Sequence, residues 1–191
     1  NKPEIPMTPP NILFLQVDQL SAESLSCYGN TVVKTPNLDR LAAQGTVFET
    51  CYCNFPLCSP SRASMATGQL ASTIGAFDNA AELPAHVPTY AHYLRDLGYH
   101  TALAGKMHFI GPDQHHGFHE RLTPDLYPAD FAWVPNWEDE GARDTNDTRG
   151  VTVSGVAART TQMDFDEAVT QAARQFLYDA AQRGDPFFLQ V

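Results

Sequence analysis

Cys58-Ser59-Pro60-Ser61-Arg62 sets a thiol at the mouth of a short helix and a guanidinium one turn further on. Pro60 suits the first turn of that helix, where a missing N–H costs nothing. The free N–H groups of the turn favour an anion, and Arg62 adds fixed positive charge nearby. Nucleophilic attack on an anionic ester needs such a positive cradle. A lone buried cysteine is more often a small core residue, and five residues alone do not decide between the two.

Two other clusters could do chemistry. Asp18-Gln19 follows the apolar run Asn11–Val17, and Gly105-Lys106-Met107-His108 follows Tyr99–Ala104. Both runs read as buried strands. In open α/β sheets ligands sit beyond the carboxyl ends of strands, so Asp18, Lys106 and His108 stand where something could bind. The ordinary alternatives are a turn aspartate, a solvated lysine and a structural histidine.

The elements that must position these residues follow from punctuation and period. Thr35-Pro36 opens a helix with a capping threonine, Leu38, Leu41 and Ala42 form its apolar face, and Gly45 ends it. Thr46–Tyr52 alternates like a strand. Asn54–Ser59 is a loop that delivers Cys58 to a helix ending near Gly68. Pro88-Thr89 starts another helix, with Tyr90, Tyr93, Leu94 and Leu97 on one face and Gly98 as its stop. Residues 111–158 show no clear period, and long irregular stretches inside a domain are often functional. Phe165, Val169, Ala172, Ala173, Phe176 and Leu177 mark a last helix, and Phe187–Val191 a last buried strand. The alternation predicts an α/β fold, a mostly parallel (mixed) sheet sandwiched by helices.

The 191 residues carry 43% hydrophobic residues and a formal net charge of −10. That length suffices for one sizeable core, and the charge argues against nucleic acid as a partner. A site for an anion must then be locally positive against the global field. Cys27, Cys51, Cys53 and Cys58 read as free thiols, because the Cys-x-Cys pair lacks zinc-knuckle spacing and has no matching second pair. No apolar run is long enough to span a membrane. The polar, proline-rich residues 1–10 show no signal peptide, so a cytoplasmic location is expected, with the periplasm as the alternative.

Taken together, Asn11-Ile12-Leu13 leading to Asp18-Gln19, Thr35-Pro36-Asn37-Leu38-Asp39-Arg40-Leu41-Ala42, Cys58-Ser59-Pro60-Ser61-Arg62 with Thr67-Gly68, and Gly105-Lys106-Met107-His108 resemble type I (formylglycine-dependent) sulfatases of the alkaline phosphatase superfamily, in order and spacing. Longer strings resemble the choline-sulfatase branch: Asp78-Asn79-Ala80-Ala81-Glu82, Gly111-Pro112-Asp113-Gln114, His116-Gly117-Phe118 and Tyr127-Pro128-Ala129-Asp130-Phe131. The resemblance covers essentially all of residues 1–191. It implies the N-terminal portion of a sulfatase catalytic domain that continues beyond Val191.

The resemblance also implies roles. Cys58 would be oxidised to formylglycine by a maturase, would coordinate a divalent cation and would attack sulfur. Arg62 would hold the aldehyde hydrate and offset its charge. Lys106 would bind the sulfate oxygens, and His108 would assist breakdown of the sulfated enzyme. Asp18 would be a metal ligand, with Gln19 beside it as a carbonyl donor or an outer contact. The metal would be Ca2+, with Mg2+ and Mn2+ as alternatives. Many sulfatases carry a second aspartate where Gln19 stands; the choline-sulfatase and phosphonate-hydrolase branches carry glutamine. Further metal ligands and a leaving-group histidine are expected from sequence beyond Val191, so this stretch alone would hold half a metal site. Related enzymes often oligomerise, and a homo-oligomer is an open expectation.

For the substrate, a small sulfate ester such as choline sulfate would need an aromatic or acidic pocket for its quaternary ammonium. Trp133 is the leading candidate, with Trp137 and Phe55 more plausibly ordinary packing residues. Two other readings stay open: a phosphonate monoester or phosphodiester hydrolase of the same superfamily, and a non-catalytic sulfatase-like protein that binds anions.

Overall fold

The computed structural model describes residues 9–127, 129 and 152–191. The chain divides into two compact units, Asn1–Leu15 with Phe55–Val191, and Gln16–Asn54.

The larger unit is built on four strands: β1 Ile12–Phe14, β2 His100–Leu103, β3 Glu120–Arg121 and β4 Phe187–Gln190. Their order is β1-β4-β2-β3, and every pairing is parallel. Ile12 registers with Phe188, His100 with Phe187 and Ala102 with Glu120. Parallel neighbours send all four carboxyl ends to one edge of the sheet.

Side chains alternate across a strand, and β4 shows what that does. Phe188, with Leu103 of β2, joins a core containing Ala63, Ala66, Ala91, Met107 and Phe118. Phe187 and Leu189, with Ala102 and Ala104, join a second core containing Val169, Ala173, Phe176 and Ala180. Helices α2 (Cys58–Thr67), α3 (Ala71–Ile74) and α4 (Tyr90–Asp96) supply the first core. A 23-residue helix, Thr161–Arg183 (α5), supplies the second. The sheet is thus covered on both faces, as apolar β4 requires. Full burial of one such phenylalanine or leucine stabilises by about 1.5–3 kcal/mol. The Thr160 hydroxyl accepts from the Met163 amide at the start of α5, and Gly184 closes its other end at φ 79°.

The smaller unit holds α1, Pro36–Gln44, and two short 3-10 turns, Ala22–Ser24 and Ser26–Tyr28. Its centre is polar. The Ser26 hydroxyl lies 2.8 Å from each carboxylate oxygen of Asp39 and shares a hydrogen bond with Thr35 Oγ1. The Tyr28 hydroxyl donates to the Phe48 carbonyl at 2.8 Å. No helix among the described residues is long and apolar enough to cross a membrane.

The α/β class, the parallel sheet and the helix bounds agree with the sequence reading; four local expectations do not. Thr46–Tyr52 forms no strand. Phe48 and Tyr52 are exposed there, and no described strand pairs with the segment. Thr35 occupies the N-cap of α1 but its side chain makes no cap, because Ser26 and Asp39 engage its hydroxyl. The buried side of α4 is Ala91 with Tyr90 and Leu94, while Tyr93 and Leu97 face solvent. β1 is half-buried, with Leu13 exposed, because among the described residues it pairs with β4 alone.

Candidate active site

Helix α2 carries the first half of the site. Cys58 is its first residue and is partly buried, and Arg62 lies one turn later, 5% exposed. Residues four apart share a helix face, so the thiol and the guanidinium point to the same side. Helix N-termini leave amides without intrahelical partners. One of these is met from outside the helix: the Ser59 N–H donates to Asn79 Oδ1 at 3.0 Å. Asn79 was not among the expected site residues, although it lies in a string that carries the resemblance. At the other end Gly68 adopts φ 68° and its amide closes on the Ser64 carbonyl.

The second half is the turn after β2. Gly105 takes φ 91° and His108 takes φ 57°, so both ends of Gly105–His108 are left-handed. His108 is 3% exposed and Lys106 is half-buried. Arg62 joins the two halves: its Nη1 donates to the Lys106 carbonyl at 2.5 Å and lies 3.9 Å from Met107 Sδ. The Lys106 ammonium sits 4.5 Å from the centre of the Tyr127 ring, and the His108 imidazole stacks on the same ring at 5.1 Å. A cation over an aromatic face is attracted by the ring's quadrupole.

Below the turn lies a buried ion pair. Asp125 Oδ2 accepts from the amides of Met107 (2.9 Å) and His108 (2.7 Å), and Arg121 Nη2 donates to the same oxygen at 2.9 Å. Arg121 in turn donates to the Gln114 carbonyl and side-chain oxygen. The Gly105 amide donates to Thr123 Oγ1 at 2.7 Å. Sequence reasoning missed Arg121, Thr123 and Asp125, which stand in an aperiodic stretch where an aspartate reads as a turn residue.

The structure therefore brings together Arg62, Lys106 and His108, with Cys58 on the face of Arg62. Asp18 and Gln19 form an exposed turn in the smaller unit, Gln19 at φ 56°. Trp133, Trp137 and Asp130 lie outside the described residues. Cys27, Cys51, Cys53 and Cys58 are joined in no disulfide. Among the described residues no three His, Cys, Asp or Glu side chains gather as a metal group.

His116 is 1% exposed, its ring is 4.3 Å from that of Phe109, and burial holds its pKa below the ordinary imidazole value, with Asp113 opposing.

A family profile described as Sulfatase matches residues 10–191. The chain belongs to the sulfatase family. It is 47% identical over 179 residues to the choline-sulfatase of Rhizobium meliloti (strain 1021), covering 92% of this chain and 35% of that protein. It is 37% identical over 137 residues to the N-acetylglucosamine-6-O-sulfatase of Bacteroides thetaiotaomicron, covering 68% of this chain and 23% of that protein. The solved phosphonate monoester hydrolase of Agrobacterium radiobacter superposes with a TM-score of 0.67 at 25% identity, over 96% of this chain and 40% of that one. This sulfatase chain thus spans well under half the length of each relative. The shared fold is the alkaline phosphatase/sulfatase α/β sandwich.

Proposed function

We propose that the protein hydrolyses a sulfate monoester, choline sulfate or a similar alkyl sulfate, with a formylglycine made from Cys58. The observation that carries this reading is 47% identity to a choline-sulfatase over 92% of this chain. The gathering of Arg62, Lys106 and His108 at the carboxyl edge of the sheet supports it.

The residues divide the work. Arg62 and Lys106 make a locally positive site in a chain of net charge −10, which concentrates an anionic ester where the global field would repel it. Lys106 receives the sulfate oxygens and offsets charge that grows in the transition state. His108, stacked on Tyr127, is the proton carrier at the reacting oxygen. Formylglycine, as its hydrate, supplies two hydroxyls on one carbon, one to attack sulfur and one to expel sulfate afterwards.

A divalent cation, calcium in the first instance, would supply Lewis acidity at the sulfate and at the attacking oxygen. Asp18 and Gln19 offer adjacent hard oxygen donors, which fit such an ion. A calcium shell takes about six to eight oxygens, more than these two residues provide.

A second reading is a phosphonate monoester hydrolase. The fold likeness to that enzyme and the Asp18-Gln19 pair favour it. The test is kcat/KM on choline sulfate and on a phosphonate monoester, with full-length protein from a host that has the maturase. Preference for choline sulfate supports the first reading. Preference for the phosphonate replaces it with the second.

A further inference from the structure

We propose that Asp125 is a positioning residue that holds His108 in its left-handed conformation and so aims the imidazole into the site. The inference rests on the sulfatase reading for its consequence, and on geometry for its content.

His108 has φ 57°. A non-glycine residue there costs on the order of 1 kcal/mol or more, and persists only where its surroundings over-determine it. Asp125 supplies the restraint. One carboxylate oxygen accepts both the Met107 and the His108 amide, so two successive N–H groups must converge on a single point. That convergence sets the dihedrals of Met107 and fixes the Met107–His108 peptide plane, and any rotation of that plane would change the φ of His108 with it.

The grip is itself fixed. The Asp125 side chain is 4% exposed and pairs with Arg121, 9% exposed, at 2.9 Å. Arg121 is anchored on Gln114 and on the Thr123 carbonyl. Thr123 holds the Gly105 amide at the far end of the turn. The Tyr127 amide donates to the other Asp125 oxygen at 3.3 Å, and its ring carries both Lys106 and His108. One segment, 121–127, therefore clamps the turn at both ends and from the side. Asp125 grips backbone amides and Arg121, so its effect on chemistry runs through where His108 sits.

The test is a double-mutant cycle on the full-length enzyme. D125N keeps volume and one acceptor but loses the charge that grips two amides and Arg121. Misplacement by about an ångström can cost about a hundredfold, so kcat is expected to fall ten- to a hundredfold in D125N. In the H108A background the same change is expected to cost less than about threefold, since residues acting as one unit are non-additive. An equal factor in both backgrounds, or no loss in either, would overturn the proposal. If D125N is not recovered folded, R121Q/D125N removes both charges of the pair, which is milder than leaving one buried alone. A crystal structure of the variant reads the same claim without activity. There His108 leaves the left-handed region if Asp125 holds it, and retention of φ near its present value contradicts the proposal. An inactive wild-type enzyme would instead count against the sulfatase reading, and the structural arm would still decide the role of Asp125.

Discussion

Arg62 Nη1 donates to the main-chain carbonyl of Lys106 at 2.5 Å. This bond ties the helix that begins at Cys58 to the turn that carries Lys106 and His108. It spends the guanidinium on backbone, so Arg62 fixes the spacing of the two halves as well as adding charge.

Replacing Arg62 tests that double role. Arg62→Ala leaves the Lys106 carbonyl without this donor and opens space at a 5% exposed position. A charged hydrogen bond is worth about 1.5–3 kcal/mol, and a loss of stability of that order is expected in denaturant unfolding. Arg62→Lys is expected to recover part of the stability but little activity, because an ammonium lacks the planar fork. Full activity in the lysine variant would refute the spacing role.

Gly117 and Gly111 make a paired prediction. Both have strongly positive φ, +97° and +95°. A Cβ on Gly117 would lie 2.7 Å from the His92 main-chain nitrogen, whereas one on Gly111 would meet the Glu82 side chain. Backbone cannot swing away, and a glutamate can. Gly117→Ala is expected to cost roughly 2 kcal/mol or more, and Gly111→Ala clearly less. Equal melting temperatures for the two variants would contradict this.

Thr89 caps α4 and anchors the loop behind the site. Its hydroxyl accepts from the Ala91 amide and donates to the His116 carbonyl at 2.6 Å, at 1% exposure. Thr89→Ala is expected to lose about 1–2 kcal/mol, and Thr89→Ser to keep most of it. Thermal unfolding of the two variants measures the difference, and an alanine variant as stable as the serine one would count against the cap.

Stability should fall in mild acid. Burial lowers the His116 pKa from its ordinary 6.5, so the folded state resists a proton that the unfolded chain accepts. The unfolded state then binds more protons between the two values, and stability is lost as pH falls below about 6.5. Asp113 adds to this further into acid. Burial would raise its carboxyl, but the His116 and His115 amides outweigh that and lower it. Melting temperature against pH is expected to slope downward in acid and to flatten in His116→Asn, a residue that tolerates positive φ. An identical slope in the variant would remove His116 from the account.

Much of this was legible in the sequence because period and punctuation agree. Phe187–Leu189 is apolar on consecutive residues, and the strand Phe187–Gln190 proves buried on both faces. Pro36, Gly45 and Gly68 mark helix ends where they stand. Cys58, Arg62, Lys106 and His108 were readable as candidates from spacing and resemblance, and the structure gathers the last three. Thr46–Tyr52 misled because alternation says nothing about whether a partner strand exists. Asp125 was invisible because its partners are amides 17 and 18 residues away, and backbone contacts leave no pattern in side-chain types. Tyr127 did leave a trace, in the Tyr127–Phe131 string.

The most direct measurement is peptide mass spectrometry across residue 58, on full-length protein from a maturase-competent host. The account expects the mass of formylglycine at residue 58, with sulfate release from choline sulfate that disappears in Cys58→Ala. An unmodified thiol at residue 58 in such a host would remove the nucleophile and contradict it.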